Sequence, residues 1–450
     1  MMDYRLVEKY NVAVPRYTSY PAVPLWDNVN TSGERWMAEV LKAFEQDKEL
    51  SLYIHLPYCE SLCTYCGCNK HITKNHLVEE PYIKAVLKEW RMYTSRFPER
   101  PVLREIHLGG GTPTFFSPEN LQTLIEGIVA EAEVADYHSF SFEAHPFSTT
   151  DEHLETLYKL GFNRLSLGIQ DFDPKILALI NRFQTAEQVE HIVSKAREIG
   201  YSSINFDLIY GLPQQNQGNI NRNLDWVARL KPDRIAFYSY AHVPGVAPSQ
   251  RAYDENDLPK GEDKWHLYRQ GADGFLRMGY QEIGMDHFAL PKDDLAVSAR
   301  QHKLHRNFMG YTPHHTHLAI ALGASSISDA WSGFAQNEKK LKDYLSRVNK
   351  EDYPPLIKSH YHTEEDLATR SKLLELICHF EGEWLEERDY FEDFLKDRFR
   401  LLEADGLLKL FPYRVKVTRK GRAFIRNVCS VLDRRLDAGS LQKPTFSKAV

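Results

Sequence analysis

Four of the six cysteines of this 450-residue chain fall within one short stretch, YCESLCTYCGCNK: Cys59, Cys63, Cys66 and Cys68. Their spacing is C-x3-C-x2-C-x-C. Thiolates are soft ligands, suited to zinc or to iron–sulfur clusters. A structural zinc site usually closes its tetrahedron with two short-spaced pairs held apart by a longer loop, and no second pair exists here. Four-cysteine iron–sulfur sites use other runs or a more distant fourth ligand. Cys59, Cys63 and Cys66 fit three corners of a cubane cluster on one wrapped loop. The fourth iron then lacks a protein ligand, and an open coordination position marks chemistry rather than support. Cys378 and Cys429 stand alone in apolar, helix-like surroundings and read as small buried hydrophobes.

Composition narrows the setting. With 56 basic and 62 acidic residues the net charge is -6, so general nucleic-acid binding is not implied. No apolar run reaches the ~20 residues of a membrane helix, and the opening MMDYRLVEKYNVAVPRYTSYP lacks the apolar core of a signal peptide. A cytoplasmic location without membrane contact is expected. Disulfides are then unfavourable, and a tight cysteine group is better suited to metal.

The elements that must position these thiols alternate along the middle of the chain. LSLYIHL (50–56) reads as a strand, with a helix pattern around 80–96. REIHLGGGTP, HSFSFEAHP, NRLSLGIQDF, SSINFDLIYGLP and DRIAFYSYAHVP read as further strands. Amphipathic segments near 118–131, 151–160, 173–198 and 216–230 separate them. This rhythm predicts an α/β fold with a parallel sheet, and six units suit a partial (β/α)6 TIM-like barrel. The strand exits carry the cysteine loop, Gly109–Gly111 with Thr112, Glu143, Gln170, Asp207 and Tyr240–Ala241. Barrel sites gather at the carboxyl ends of strands, so these residues are expected to converge. QEIGMDHFAL reads as another strand-like run.

The last ~85 residues have the helix, strand-pair, helix rhythm of a winged helix. Its candidate recognition segment mixes acids with bases, so a packing or lid role is expected rather than DNA binding. The boundaries are 1–48 for an N-terminal arm containing RYTSYP, 49–340 for the barrel and its extension, and 341–450 for the C-terminal helical domain. The tail LQKPTFSKAV is expected to fray.

Cys-x3-Cys-x2-Cys after a first barrel strand resembles the radical S-adenosylmethionine (SAM) superfamily. PRYTSYP, YIHLPYC, CGCNK, HLGGGTPT, LSLGIQDF, NFDLIYGLP, YSYAHVP, DHFALP, LHRNFMGYT, GASSISD and VTRKGRAFIRNVC, in that order, resemble the oxygen-independent coproporphyrinogen III oxidase (dehydrogenase) family over nearly the whole chain. RYTSYP and the C-G-C ending separate that family from heme chaperones of the same superfamily, which usually carry an aromatic where Cys68 stands. A heme-acting radical SAM methyltransferase and a non-enzymatic zinc module are the other readings.

The resemblance implies oxidative decarboxylation of two propionates of coproporphyrinogen III to vinyls, giving protoporphyrinogen IX. Two SAM molecules serve each turnover, with an external electron donor and acceptor and a monomeric enzyme. It implies that Cys59, Cys63 and Cys66 ligate a [4Fe–4S] cluster whose fourth iron is chelated by SAM, with Tyr65 packing beside it. Tyr53, Gly110, Gly111, Thr112 and Glu143 would line the methionine end of SAM. Gln170, Arg182 and Asp207 would hold the rest of it, and Cys68 would lie close enough to touch it. Ala241 and Ile327 would meet a second SAM. Arg16, Tyr17, Tyr20 and Arg306 are candidate substrate contacts; the arm's tyrosines could wrap the barrel, close over a flat tetrapyrrole, or both. Met309 stands where the family has glutamine, and TPHHTHLAIALG differs from a more acidic counterpart. His314, His315 and His317, with no neighbouring carboxylate in sequence, read as surface or pocket polar residues rather than a metal site.

Overall fold

Six segments of alternating side-chain character become parallel strands: β1 (Glu49–Leu56), β2 (Val102–Gly110), β3 (Glu133–Ala144), β4 (Phe162–Gln170), β5 (Ser203–Tyr210) and β6 (Arg234–Ser239). The structure is a computed structural model that describes residues 4–26, 31–245, 247–383, 393–437, 446 and 448. Six further strands extend the sheet: β7 (Gln281–Gly284), β8 (His287–Ala289), β9 (Leu318–Leu322), β10 (Ile327–Asp329), β11 (Gly333–Asn337) and β12 (Leu356–Tyr361). The order across the sheet is β12-β11-β10-β9-β1-β2-β3-β4-β5-β6-β8-β7.

Two features differ from the sequence expectation. β9 pairs parallel with β1, so seven strands rather than six run in parallel. Its short apolar run carries no alternation, and burial on both faces removes the periodic signal. QEIGMDHFAL is not one strand but a hairpin of β7 and β8, turned at Met285, whose φ is 46°. β12 lies beyond residue 340, yet it pairs with β11 in the same sheet.

The parallel strands assign opposite chemistry to their two faces. Leu50, Leu52 and Ile54 of β1, Ile106 and Leu108 of β2, Phe140 and Phe142 of β3, Leu165 and Leu167 of β4, and Ile204 and Phe206 of β5 are all buried in one core. The intervening positions are Tyr53 and His55, Glu105 and His107, Ser141 and Glu143, Ser166 and Gly168, and Asn205 and Asp207. The register sets Tyr53 opposite His107, His107 opposite Ser141, Glu143 opposite Ser166, and Gly168 opposite Asp207. A period of two thus builds the core and the polar lumen from the same strands.

Helices α1 (Tyr4–Tyr10) and α2 (Gly33–Gln46) belong to the arm. Crossover helices α3 (Glu79–Thr94), α4 (Pro118–Val129), α5 (Asp151–Lys159), α6 (Pro174–Leu179), α7 (Ala186–Ile199) and α8 (Gln217–Leu230) follow the strands. The single helix expected over 173–198 is two, because the chain leaves α6 through Asn181 at φ 55° and restarts at Thr185. Thr185 and Gln188 form a capping box, a T-x-x-Q signal present in the sequence.

The C-terminal module joins helix Glu364–His379 to a three-stranded sheet of Glu381–Glu383, Leu408–Phe411 and Arg414–Val417, with helices Asp393–Ala404 and Ile425–Ser430. Residues 384–392 lie outside the described residues. So does most of the tail expected to fray, although Lys448 forms a backbone bridge with Ala13. The arm is pinned to this module. Arg426 donates to the carbonyls of Val14 and Pro15, Asn427 donates to Tyr10 at 2.9 Å, and the Tyr17 hydroxyl donates to Asp433 at 3.1 Å. No helix among the described residues is long and apolar enough to cross a membrane.

Glu89 of α3 ties the crossover layer to the sheet's far edge. Its fully buried carboxylate accepts from Asn337 Nδ2 at 2.6 Å, Gly323 N at 2.9 Å and the Tyr344 hydroxyl at 2.6 Å. Burial pushes its pKa up to about 7, against the pull of those three donors. The folded state therefore keeps a proton that the unfolded chain releases above about 4.5. Stability should fall as pH rises from there to about 7, by on the order of 3 kcal/mol. Urea midpoints at pH 5 and pH 8 should show this slope, and Glu89→Gln should remove most of it. The variant should also be less stable at pH 5 by ~1–3 kcal/mol, since an amide cannot accept from all three donors.

Candidate active site

The carboxyl ends of β1 to β6 surround a cavity of about 590 Å³. The cysteine loop forms one wall. Cys59 ends the short strand Tyr58–Cys59, which pairs with His71–Ile72, so the loop is closed at its base. The Thr112 hydroxyl donates to Cys59 Sγ at 3.3 Å, and Lys70 Nζ donates to the carbonyl of Cys66 at 3.0 Å. Gln250 donates to the carbonyl of Tyr65 at 3.0 Å.

The break between α6 and α7 seats the loop against β4. Thr64 N donates to Ile180 O at 3.2 Å, and Asn181 Nδ2 donates to Leu62 O at 2.8 Å. Arg182 reaches Cys63 Sγ at 3.6 Å, the Tyr65 hydroxyl at 3.4 Å, Gln184 Oε1 at 3.1 Å and the carbonyl of Gly168. Burial pushes the Cys59 thiol up to about 11 and raises that of Cys63, with Arg182 pulling the latter down. The Cys66 thiol is pushed down to about 6, first by a hydrogen bond from Cys68, and the same bond raises Cys68.

Carboxylates occupy the opposite wall. Glu143 accepts from Gly110 N at 3.3 Å and stands 3.5 Å from His107 Nε2. Burial works against its charge, but His107 and the Gly110 N–H hold it below the ordinary carboxylate value. Asp207 accepts from Ser166 at 3.1 Å and from Asn205 at 2.9 Å. Burial, and then the charge of Glu143, push it up to about 7. Gln170 is buried at the end of β4 with φ 71° and lines the same cavity. Tyr53 stacks on His107 with 5.9 Å between centroids and meets His55 Nδ1 at 3.2 Å.

The glycines have a second reason to be glycine. Gly110 sits at φ 113°, and a Cβ there would lie 2.6 Å from the His55 ring; one on Gly111 would lie 2.6 Å from the Pro57 backbone. Packing of the strand exit itself excludes a side chain.

Other candidates lie apart from this cavity. The carbonyl of Ala241 accepts from Gln250 at 3.1 Å. Ile327 lines a second cavity of about 170 Å³ together with Tyr53, His55 and Met309. Arg16 pairs with Asp286, and Tyr17, Tyr20 and Arg306 border a gap of about 10 Å³ beneath the arm. His315 and His317 join His305 around Trp331, beside the amino end of β9, with ring centroids 4.3 Å and 5.2 Å apart. Among the described residues no three His, Cys, Asp or Glu side chains are placed to hold one metal ion. Sequence reasoning missed His107, Ser166 and Asn205, all signalled by polar side chains at alternate positions of otherwise apolar strands.

Residues 53–227 match the Radical SAM superfamily. The chain is 35% identical over 460 residues to an oxygen-independent coproporphyrinogen III oxidase from Pseudomonas aeruginosa, covering 100% of this chain and 98% of that one. It is 37% identical over 439 residues to the enzyme of that name from Escherichia coli, covering 96% and 95%. The chain belongs to the oxygen-independent coproporphyrinogen III oxidase family. A solved structure of coproporphyrinogen III oxidase from Escherichia coli, described as a radical SAM enzyme, superposes with a TM-score of 0.88 at 33% identity, covering 96% of this chain and 99% of that one. Membership makes a [4Fe–4S] cluster and SAM the cofactors of the family. The residues present fit them: soft thiol donors line one wall, while Arg182, Glu143 and Asp207 line other parts of the same cavity.

If three thiols rather than four hold the cluster, anaerobically reconstituted Cys68→Ala should keep the iron and sulfide content of the parent. Cys59→Ala, Cys63→Ala and Cys66→Ala should each lose most of it. Loss of cluster in Cys68→Ala would make Cys68 a ligand.

Proposed function

We propose that this chain decarboxylates two propionates of coproporphyrinogen III to vinyls, giving protoporphyrinogen IX in porphyrin biosynthesis. The carrying observation is the single cavity that joins the cysteine loop to Glu143 and Asp207, within a chain matched end to end by enzymes of that name. When bound, the reduced cluster and SAM supply a 5′-deoxyadenosyl radical able to take a hydrogen atom from an unactivated carbon. Each propionate then gives up one hydrogen atom, CO2 and one electron, leaving a vinyl group. Two such events need two SAM molecules, an external reductant for the cluster and an external acceptor for the substrate's electrons.

In this reading Cys59, Cys63 and Cys66 are the cluster ligands, and one iron is left for SAM. Arg182 holds the loop in place through Tyr65 and Gly168. Glu143 stays ionised against burial, which suits it to the amino group of SAM. Tyr53, Gly110, Gly111 and Thr112 shape the methionine end, and Cys68 borders it. Gln170 and Asp207 face the nucleoside, where a carboxylate suits ribose hydroxyls. The cavity around Ile327 and Met309 is the place for a second SAM, with Ala241 acting from the β6 exit. The arm closes the mouth and excludes water from the radical step. The enzyme works as a monomer.

Two experiments test this. Reconstituted protein, given reductant, SAM, coproporphyrinogen III and a one-electron acceptor without oxygen, should yield first a tri-propionate intermediate and then protoporphyrin after oxidation, resolved by chromatography. Absence of both would sink the proposal, and stable heme binding without turnover would favour a chaperone. Because Asp207 ionises near 7, SAM affinity measured by calorimetry should improve from pH 6 to pH 8, and Asp207→Asn should flatten that dependence.

A further inference from the structure

Arg306 carries a charge that the fold leaves unanswered. It lies on the strand His305–Asn307, paired with Gly310–Thr312, and is only 5% exposed. Its guanidinium rests over the Tyr311 ring, 4.6 Å from the centroid. Nε and Nη1 are buried and have no hydrogen-bond partner. Among the described residues no carboxylate pairs with it. A buried cation without a counter-charge is costly to keep, and two idle N–H groups add to that cost.

The surroundings define what would answer it. Arg16 pairs with Asp286, leaving two arginines beside one aspartate. His287 is neutral: burial and then the charge of Arg306 push it down to about 3, and its buried Nδ1 also lacks a partner. Cys378 and Cys429 on the far side are buried and apolar. On the arm side only the gap of about 10 Å³ remains. Tyr238, which lines the main cavity, meets the His287 ring at 5.8 Å, and His287 meets the Tyr311 ring at 5.3 Å, so a chain of rings runs from that cavity to the guanidinium.

We infer that Arg306 is the receptor for a carboxylate of the substrate, a propionate that does not react, entering from the main cavity past Tyr238. The inference rests on the coproporphyrinogen reading, in which two propionates survive to the product. The planar fork offers two parallel N–H bonds to one carboxylate, and the pair neutralises the site. Arg306 is thus a positioning residue. It fixes the macrocycle so that another propionate is presented to the cofactors.

Binding of coproporphyrin III, the stable oxidised porphyrin, to the reconstituted holoenzyme tests this by fluorescence titration. Arg306→Gln should weaken binding by about 10- to 100-fold, and Arg306→Lys should recover part of it. KM for coproporphyrinogen III should rise in step. The melting temperature of Arg306→Gln without porphyrin should be unchanged or higher, since an unpaired buried charge is gone. Affinity of Arg306→Gln within twofold of the parent would overturn the inference. Should that variant fail to fold, the parent protein decides: equal affinity for coproporphyrin III and its tetramethyl ester overturns the inference, and clear preference for the free acid supports it. Failure of the parent to bind either porphyrin would instead overturn the coproporphyrinogen reading beneath it.

Discussion

A parallel strand covered on both faces must find company for every side chain it carries. Here one face meets helices and is apolar, and the other meets a lumen and is polar. Polar groups inside a barrel are costly unless each finds a partner. The lumen meets this cost by pairing across the register: Ser141 with His107, His107 with Glu143, and both Ser166 and Asn205 with Asp207. Toward the carboxyl ends of these strands the cavity opens. The alternation that builds the core therefore also decides where ligands can be held.

The cysteine loop has little internal structure and borrows its shape from the barrel. One guanidinium, Arg182, spans loop and strand by touching Cys63, Tyr65, Gln184 and Gly168. Lys70 and Gln250 hold the backbone of the same loop from its other side. The thiols thus face the cavity from a segment that could not present them alone. Rigidity reaches the loop from strands whose own order comes from packing.

Much of this was legible in the residues themselves. The spacing of Cys59, Cys63 and Cys66, the glycines and acids at strand exits, and the two-residue alternation are local signals, and they foretold the barrel and the convergence of Glu143, Gln170 and Asp207. The seventh parallel strand was not legible, because a five-residue apolar run looks alike in a strand and in a buried helix. The break that sets Arg182 against the loop was missed because the apolar pattern of α6 runs on toward α7, although the T-x-x-Q cap of α7 marks it. Gly110 and Gly111 were expected to line the methionine end of SAM, while their neighbours His55 and Pro57 forbid a side chain in any case. Such facts depend on which distant residues meet, and distance along the chain hides them. The idle guanidinium of Arg306 is of the same kind, because absence of a partner becomes visible only when all neighbours are in place.

The pinning of the arm to the C-terminal module bears on how the protein is made. Tyr10, Val14, Pro15 and Tyr17 are made long before Asn427, Arg426 and Asp433; the contacts between them span more than 400 residues. Such contacts are the slowest kind to form, because the whole intervening chain must be ordered before they are rewarded. The barrel and its cysteine loop can therefore be complete on the nascent chain while the arm still hangs free. Synthesis itself therefore leaves an interval between a formed barrel and a seated arm, and it closes when the helix Ile425–Ser430 arrives to receive that segment.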